Sequence, residues 1–449
     1  MYNISSYLKI MNRLNAHKYS KECPRKSANL KNKLLGNDIL LINKVGSDSE
    51  NGEIIKSCIS FKDTKLLDEC KNDPNNIIII SKKIPLERQR NLQSVYKSYD
   101  KIYKYTNYNN SVWVELLCSS LAKEVILQKN ICPNLPLYYK NYFCKNCSYE
   151  SKKLKERIET NEITKNCIIS LNEYADNGDL NAWLKSDRSF KEWQVMYFQI
   201  FAGLYVMQKF FNLQHYDLHW GNILVHSIPK TKEYFIYNID GIKYKIPNIG
   251  FRFTLNDFGY AIIPGKIQAL EDSYYDNLKY CNSDYFRIAH VIKWSKEEKL
   301  KSYNKSNYTE LGQLFSYIKS QYNNNKPLSF IIKDYYKGFT TNENTTDYSI
   351  TDESKKKLAS KIPENLEWLL NKSKNNDKTC KTHQELNLKT NRCRKTCKSD
   401  EVRNKKTDRC VKIKCKQEQE LNIKTNRCRK KCKSDQVRNN KTKKCIKIK

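Results

Sequence analysis

The sequence has little glycine and no long apolar run. Glycine accounts for 12 of the 449 residues, and the longest purely aliphatic run is IIII at residues 77–80. A membrane-spanning helix needs about 20 consecutive apolar residues, so we predict no transmembrane span. The opening residues, MYNISSYLKIMNRLNAHK, carry no apolar core followed by a small-residue cleavage site. We therefore expect no signal peptide and a cytosol-like compartment.

The composition is sufficient for a folded core. Hydrophobic residues make up 39% and aromatic residues 12% of the sequence, which excludes a wholly disordered chain. The length indicates two or three domains, or one large domain with an appendage. Lysine and arginine number 82 against 48 aspartates and glutamates, a net charge of +34. This excess favours an anionic partner: nucleic acid, nucleotide, acidic protein or a membrane surface.

Charge and cysteine are concentrated at the end of the chain. The last 74 residues contain eight of the 17 cysteines and carry a net charge of +18. Residues 371–379 form a polar linker, and residues 380–449 are an internal repeat of four C-x12-C units. The cysteine pairs of these units are Cys380 with Cys393, Cys397 with Cys410, Cys415 with Cys428, and Cys432 with Cys445.

Each repeat unit is too small and too polar to bury a core, so a covalent or metallic link is required. A disulfide that closes such a loop would contribute about 3 kcal/mol in the chain-entropy model. Zinc is the alternative, but the C-x2-C spacing typical of zinc knuckles is missing from the repeat, and we favour disulfides. A reduced, basic and disordered tail is the third interpretation.

The cysteine spacing and the LNxKTxRC core of the first and third units resemble the two-cysteine adaptor repeats of proteins from large DNA viruses. The resemblance implies a viral source and a role in tethering the attached domain. We expect the tail to bind viral structural or acidic partners. It has no aromatic residue to stack on bases, so any nucleic-acid binding would be nonspecific and steeply salt-dependent.

Two motifs in the rest of the chain are typical of phosphoryl transfer. Residues 215–222 read HYDLHWGN, and residues 255–259 read LNDFG. The order H-x-D-L-x-x-x-N and then D-F-G resembles the protein kinase family. The resemblance implies an α+β, two-lobed fold, with an extension at 1–33, a β-rich N-lobe at 34–175 and a helical C-lobe at 176–370.

The resemblance assigns chemistry to residues of both motifs. Phosphoryl transfer depends on positioning, metal and charge neutralisation rather than on covalent chemistry. Asp217 would accept or orient the proton of the attacking hydroxyl, and His215 would brace the loop. Asn222 and Asp257 would bind Mg²⁺, which prefers few protein oxygens and completes its coordination with phosphate and water. The implied cofactors are ATP and Mg²⁺.

A strand and a helix supply the next expected pair. The segment IISKKIPL at residues 79–86 resembles the kinase strand that carries the phosphate-binding lysine, and Lys82 matches that lysine. A shift of register by one residue would select Lys83, which faces the other side of the strand. The glutamate that pairs with the lysine is Glu115 or Glu124, and we favour Glu115.

The phosphate loop and the hinge between lobes are matched less closely. In KVGSDSENGEI, Gly46 and Gly52 would flank a hairpin over the phosphates, and an ordinary β-hairpin is the alternative. In IISLNEYADNGDL, Glu173 and Ala175 would offer backbone hydrogen bonds to adenine, after a gatekeeper at Asn172. Asp179 would bind the ribose hydroxyls or serve as a helix N-cap.

Four departures from the kinase pattern stand out. Tyr216 replaces the arginine that pairs with a phosphorylated activation loop, so we expect activity without loop phosphorylation. His219, a further catalytic candidate, replaces a lysine and resembles small-molecule phosphotransferases of the aminoglycoside and choline kinase type. No A-P-E motif lies between Asp257 and Asp284. Asp284 itself would tether the catalytic loop, residues 215–222. The insert between Asn222 and Asp257 alternates apolar and polar residues around Asp-Gly and predicts an extra β-hairpin.

One further cysteine pair, Cys144-x2-Cys147, invites a zinc interpretation. Zinc would need two more ligands, for which Cys132 and Cys167 are available. A single C-x2-C is a weak signal, so we expect structural thiols here.

These features are together similar to the divergent kinase-like proteins of iridoviruses and mimivirus relatives. The resemblance implies a nucleotide-binding transferase, a serine/threonine-protein kinase that acts on protein substrates. The alternatives are a small-molecule phosphotransferase and a pseudokinase that acts as a virion scaffold. The expected location is the host cytoplasm during infection, with packaging in the virion as a further option.

Overall fold

The computed structural model divides the chain into two units, residues 1–371 and 372–449. The structure describes residues 25–26, 39–45, 52–59, 77–87, 111–127, 131–264, 267–268, 283–297, 308–362 and eight short strands between residues 384 and 447. Helices and strands alternate irregularly along the first unit. The predicted α+β class is therefore confirmed for the described residues.

Six strands of the first unit form one sheet in the order β1-β2-β3-β4-β6-β5. They are β1 (Arg25–Lys26), β2 (Ile39–Val45), β3 (Glu53–Ile59), β4 (Ile77–Glu87), β5 (Tyr138–Cys144) and β6 (Ile163–Glu173). All neighbours are antiparallel except β1 and β2. Strand β4, which opens with the aliphatic run, lies inside the sheet and pairs with β3 and β6.

The described residues form eight α-helices. They are α1 (Ser111–Leu127), α2 (Lys152–Glu159), α3 (Leu180–Trp183), α4 (Phe190–Phe211), α5 (Ser283–Glu297), α6 (Tyr308–Asn323), α7 (Leu328–Tyr335) and α8 (Asp352–Ala359). Helix α4 begins at a capping box formed by Ser189 and Glu192 and ends at Asn212, whose φ of 55° is left-handed. Most of its side chains are buried, so α4 is the centre of the helical core.

Seven short strands follow α4 or lie among the later helices. They are β7 (Ile223–Ser227), β8 (Tyr234–Ile239), β9 (Ile242–Pro247), β10 (Phe251–Leu255), β11 (Ile262–Ile263), β12 (Ile267–Gln268) and β13 (Tyr348–Ile350). Strands β8 and β9 form a hairpin around Asp240 and Gly241, whose φ angles are 52° and 88°. The predicted extra hairpin is therefore confirmed, and β13 adds to it in parallel.

The extra hairpin does not separate the two motifs. Strands β7 and β10 pair directly, with Ile223 opposite Leu255. The amide of Asn256 donates a hydrogen bond to the Asn222 carbonyl oxygen over 2.8 Å. The residues that precede β7 and follow β10 are thus neighbours at one end of the strand pair, because antiparallel strands bring these ends together.

The second unit consists of four two-stranded antiparallel hairpins in the part that is described. The strands are β14 (Gln384–Asn387), β15 (Arg392–Lys395), β16 (Glu401–Arg403), β17 (Cys410–Lys412), β18 (Gln419–Asn422), β19 (Arg427–Lys430), β20 (Gln436–Arg438) and β21 (Cys445–Lys447). Each C-x12-C unit contributes one hairpin, with its second cysteine in the second strand. The predicted disulfides of the tail concern side chains outside the described residues.

Throughout the described residues, no helix combines the length and the apolar character that crossing a membrane requires.

Candidate active site

The loop that carries the first motif lies between α4 and β7 and is held by helix α5. The Asp284 carboxylate accepts hydrogen bonds from the amides of His215 over 2.7 Å and Tyr216 over 2.8 Å. Asp284 is buried, and a carboxylate that is satisfied in this way fixes the loop backbone. The tether predicted for Asp284 is confirmed.

The side chain of Lys82 meets two carboxylates. Its Nζ donates a hydrogen bond to Glu115 Oε1 over 2.6 Å and lies 3.3 Å from Asp257 Oδ1. Glu124, the other glutamate considered for this pair, instead faces Lys123 at 3.7 Å. The structure therefore brings together a residue of β4, a residue of α1 and the aspartate of the second motif.

Burial and mutual charge shift the pKa values of this triad. Burial raises the pKa of Glu115 to about 7, despite the opposing effect of Lys82. Burial disfavours the charged form of Lys82, but Asp257 and then Glu115 raise its pKa above the ordinary value. Burial acts to raise the pKa of Asp257, but Lys82, together with His215 and the Gly259 amide, lowers it below the ordinary value. Lys82 and Asp257 are accordingly both charged at neutral pH.

Asn222 and Asp257 present oxygen atoms of the kind that Mg²⁺ prefers. The Asn222 side-chain amide donates to the Asp217 backbone carbonyl over 2.8 Å, which turns its Oδ1 away from that contact. His215 Nε2 lies 2.7 Å from the Asn256 carbonyl oxygen and so links the first motif to the residue before Asp257. One amide oxygen and one carboxylate fit a Mg²⁺ ion that completes its coordination with phosphate and water.

Two nitrogen-bearing side chains flank the Asp217 carboxylate. His219 Nε2 lies 3.9 Å from Oδ2, and Arg287 Nη1 lies 3.9 Å from Oδ1. His219 Nδ1 accepts a hydrogen bond from the Gly221 amide over 3.1 Å, which orients the ring. Arg287 was not among the residues predicted from the sequence. A usable signal was its position three residues after Asp284, on the same face of α5.

The segment expected to contact adenine lies at the end of β6. The Glu173 amide donates to the Leu137 carbonyl oxygen over 2.9 Å, so an adenine contact from this residue would use its carbonyl oxygen. Ala175 is buried in the turn that follows. The Asp179 carboxylate accepts a hydrogen bond from the Ala182 amide over 2.9 Å and therefore is the N-cap of α3. This capping leaves one carboxylate oxygen for the predicted ribose contact.

A buried ionic cluster at the end of β6 was also not predicted from the sequence. Arg252 of β10 donates to Glu173 Oε1 over 2.7 Å, and His226 Nδ1 of β7 lies 3.8 Å from the same oxygen. His226 Nε2 is 3.1 Å from Thr254 Oγ1. The cluster joins the end of the six-stranded sheet to the β7–β10 pair.

Only part of the predicted phosphate loop is described. Gly46 lies outside the described residues, whereas Gly52 directly precedes β3. A Cβ atom on Gly52 would lie 2.8 Å from the Lys83 carbonyl oxygen, so the close contact with β4 requires glycine here. Next to it, the buried Glu53 and Lys83 form an ion pair of 2.6 Å on the strand face opposite Lys82. Ile54 faces Lys82 across the strand pair.

The cysteines near α2 form neither a zinc site nor a set of free thiols. Cys147 is bonded to Cys167 in a disulfide. Cys132 is a buried free thiol. Across the described part of the chain, no group of three or more His, Cys, Asp or Glu residues could hold a metal ion. The structural-thiol interpretation is wrong for Cys144, Cys147 and Cys167, which are all disulfide-bonded. The pairing of β5 and β6 brings the segments of Cys147 and Cys167 within bonding distance.

Comparison with known proteins finds several relatives with kinase names, while no protein-family model matches the chain. The "Probable serine/threonine-protein kinase 380R" of Invertebrate iridescent virus 6 is 36% identical over 149 residues, which are 33% of this chain and 27% of that protein. A protein of Acanthamoeba polyphaga mimivirus named as a serine/threonine-protein kinase is 28% identical over 125 residues, 26% of this chain and 27% of that protein.

A third viral relative, "Probable kinase 098L" of Invertebrate iridescent virus 3, is 29% identical over 114 residues, or 25% of this chain and 21% of that protein. The chain thus spans about a quarter of the length of the curated relatives it matches. These similarities support a viral kinase-like family and a kinase-like function.

Proposed function

We propose that the protein is a two-lobed serine/threonine-protein kinase of viral origin that transfers a phosphoryl group from ATP to hydroxyl groups of proteins. The observation that carries the proposal is the meeting of Lys82 with Glu115 and Asp257, beside the linked pair of Asp217 and Asn222. These residues come from four separate segments of the chain. Their convergence supports a phosphoryl-transfer site more strongly than either motif does in isolation.

The geometry supports a role for each residue. Glu115 holds the Lys82 ammonium where it could bind phosphate oxygens, and Asp257 and Asn222 would hold Mg²⁺. Bound Mg²⁺ would neutralise charge on the phosphates. Asp217, next to Asn222, would orient the acceptor hydroxyl and take its proton. Gly52, Ile54 and the backbone of Glu173 and Ala175 would contact the nucleotide.

For the second unit, we propose a tethering role. Its four hairpins, its cysteine repeat and its net charge of +18 over the last 74 residues support binding to acidic or viral structural partners. Localisation in the host cytoplasm and packaging in the virion are part of this proposal. They are testable by immunoblotting purified particles.

The test of the enzymatic proposal is transfer from labelled ATP with Mg²⁺. The acceptors are a generic basic protein, the protein itself, choline and an aminoglycoside. Asp257→Ala removes a metal ligand and should abolish transfer, whereas Asp187→Ala, at an exposed position outside the site, should not. Phosphoserine or phosphothreonine made by the wild type supports the proposal. Transfer only to the small molecules would favour the phosphotransferase alternative, and absence of ATP binding would favour the pseudokinase.

A further inference from the structure

One turn of helix α5 holds both sides of a single residue in the catalytic loop. Asp284 accepts a hydrogen bond from the Tyr216 amide over 2.8 Å. Arg287 Nη1 donates a hydrogen bond to the Tyr216 carbonyl oxygen. Residues three apart on a helix lie on one face, which explains how both side chains reach the same residue. Tyr216 is therefore clamped at its amide and at its carbonyl.

The clamp acts on a backbone conformation that is unfavourable by itself. Tyr216 has a φ of 72°, in the left-handed region that side chains other than glycine rarely adopt. Such a conformation is strained and persists only where the surrounding structure holds it. Asp217 follows directly, so the direction of its carboxylate depends on how the Tyr216 peptide groups are held.

Arg287 also places a positive charge beside Asp217. Its Nη1 lies 3.9 Å from Asp217 Oδ1, and its guanidinium lies over the Tyr216 ring at 5.7 Å. A guanidinium stays charged at every physiological pH. Lys82 is already engaged with Glu115 and Asp257. Arg287 is thus placed to hold Asp217 both through the backbone and by charge.

We propose that Arg287 is a positioning residue for phosphoryl transfer, which fixes the Asp217 carboxylate through the Tyr216 carbonyl. The inference rests on the proposed kinase function. It predicts that loss of the guanidinium lowers kcat and leaves the KM for ATP unchanged, because Asp217 acts on the acceptor hydroxyl and not on nucleotide binding. A misplacement of about 1 Å at a reacting group costs about 10²-fold in rate, which sets the expected size.

The experiment compares Arg287→Met and Arg287→Lys in the full-length protein, with Arg157→Met as the control. Arg157 is an arginine of α2 that pairs with Glu162 at the surface. Arg287→Met should lower kcat by about 10²-fold at constant KM for ATP, and Arg287→Lys should recover part of the loss, because lysine keeps a donor and a charge. Arg157→Met should keep the kcat of the wild type.

The thermal midpoint of each variant separates positioning from simple loss of structure. Wild-type kcat in Arg287→Met, or no recovery in Arg287→Lys, would overturn the inference. If Arg287→Met does not fold, Arg287→Lys decides: reduced kcat at an unchanged midpoint supports positioning, and unchanged kcat overturns it. An inactive wild type would overturn the proposed function and the inference together. An active wild type with an inactive Asp257→Ala and a fully active Arg287→Met would overturn the inference alone.

Discussion

Acidification should destabilise the first unit through His226, a buried residue of the ionic cluster that contains Arg252 and Glu173. Burial and then the charge of Arg252 lower the pKa of His226 to about 4. The side chain is held between Thr254 Oγ1, 3.1 Å from Nε2, and Glu173 Oε1, 3.8 Å from Nδ1. The folded protein therefore keeps this imidazole neutral under conditions in which the unfolded chain protonates it.

The sign and size of the effect follow from proton linkage. The pKa of histidine in an unfolded chain is about 6.5, so the unfolded state binds more protons between pH 6.5 and 4. The contribution of His226 to stability is present above pH 6.5 and is lost as pH falls toward the folded-state pKa. At 1.36 kcal/mol per pH unit, lowering the pH from 7 to 5 should remove about 2 kcal/mol.

The assay is urea unfolding at pH 7 and pH 5, followed by tryptophan fluorescence. All six tryptophans precede residue 371, so the signal reports on the first unit. The loss of unfolding free energy between the two pH values should be about 2 kcal/mol smaller in His226→Gln than in the wild type. His219→Gln, which removes a half-exposed histidine, should retain the full loss. Equal losses in His226→Gln and the wild type would refute the reasoning.

Three other predictions concern the pair of strands β3 and β4 and the tail. Lys83→Met leaves the buried Glu53 charge unpaired and should lower the free energy of unfolding by about 3–5 kcal/mol, while adding Glu53→Gln should restore part of it. Gly52→Ala should cost about 1–3 kcal/mol through contact with the Lys83 carbonyl, whereas Gly338→Ala, which meets open space, should cost much less. Both are measured by urea unfolding. Alkylation without reductant, read by mass, should leave the tail cysteines unmodified, and eight modified tail thiols would contradict the disulfide prediction.

The spacing of residues in the sequence predicted contacts and turns formed by residues that are close together in the chain. The five-residue interval from Asp217 to Asn222 lets the asparagine side chain reach back to the aspartate carbonyl. A tight two-residue hairpin turn needs two residues with left-handed φ angles, which Asp-Gly accommodates. Asp240 and Gly241 adopt such angles in the insert. The cysteine repeat likewise determined the period at which the tail hairpins recur.

Tertiary structure decided which distant residues meet. The choice between Glu115 and Glu124 depended on how α1 lies against β4, and the choice between Lys82 and Lys83 depended on which face of the sheet is turned toward Asp257. Neither choice follows from the local sequence pattern, because both glutamates lie in α1 and both lysines lie in β4. Arg287 became part of the site only when α5 packed under the catalytic loop.

The sequence alone thus determined the motifs, their order and the local turns, because these depend on backbone preferences over a few residues. Only the tertiary structure decided the partners of the charged groups. The buried pair of Glu53 with Lys83 and the cluster of Glu173 with Arg252 each join residues that are far apart in the chain. Such pairs form because burial removes water from charged groups, and a charge without a nearby partner there would be too costly.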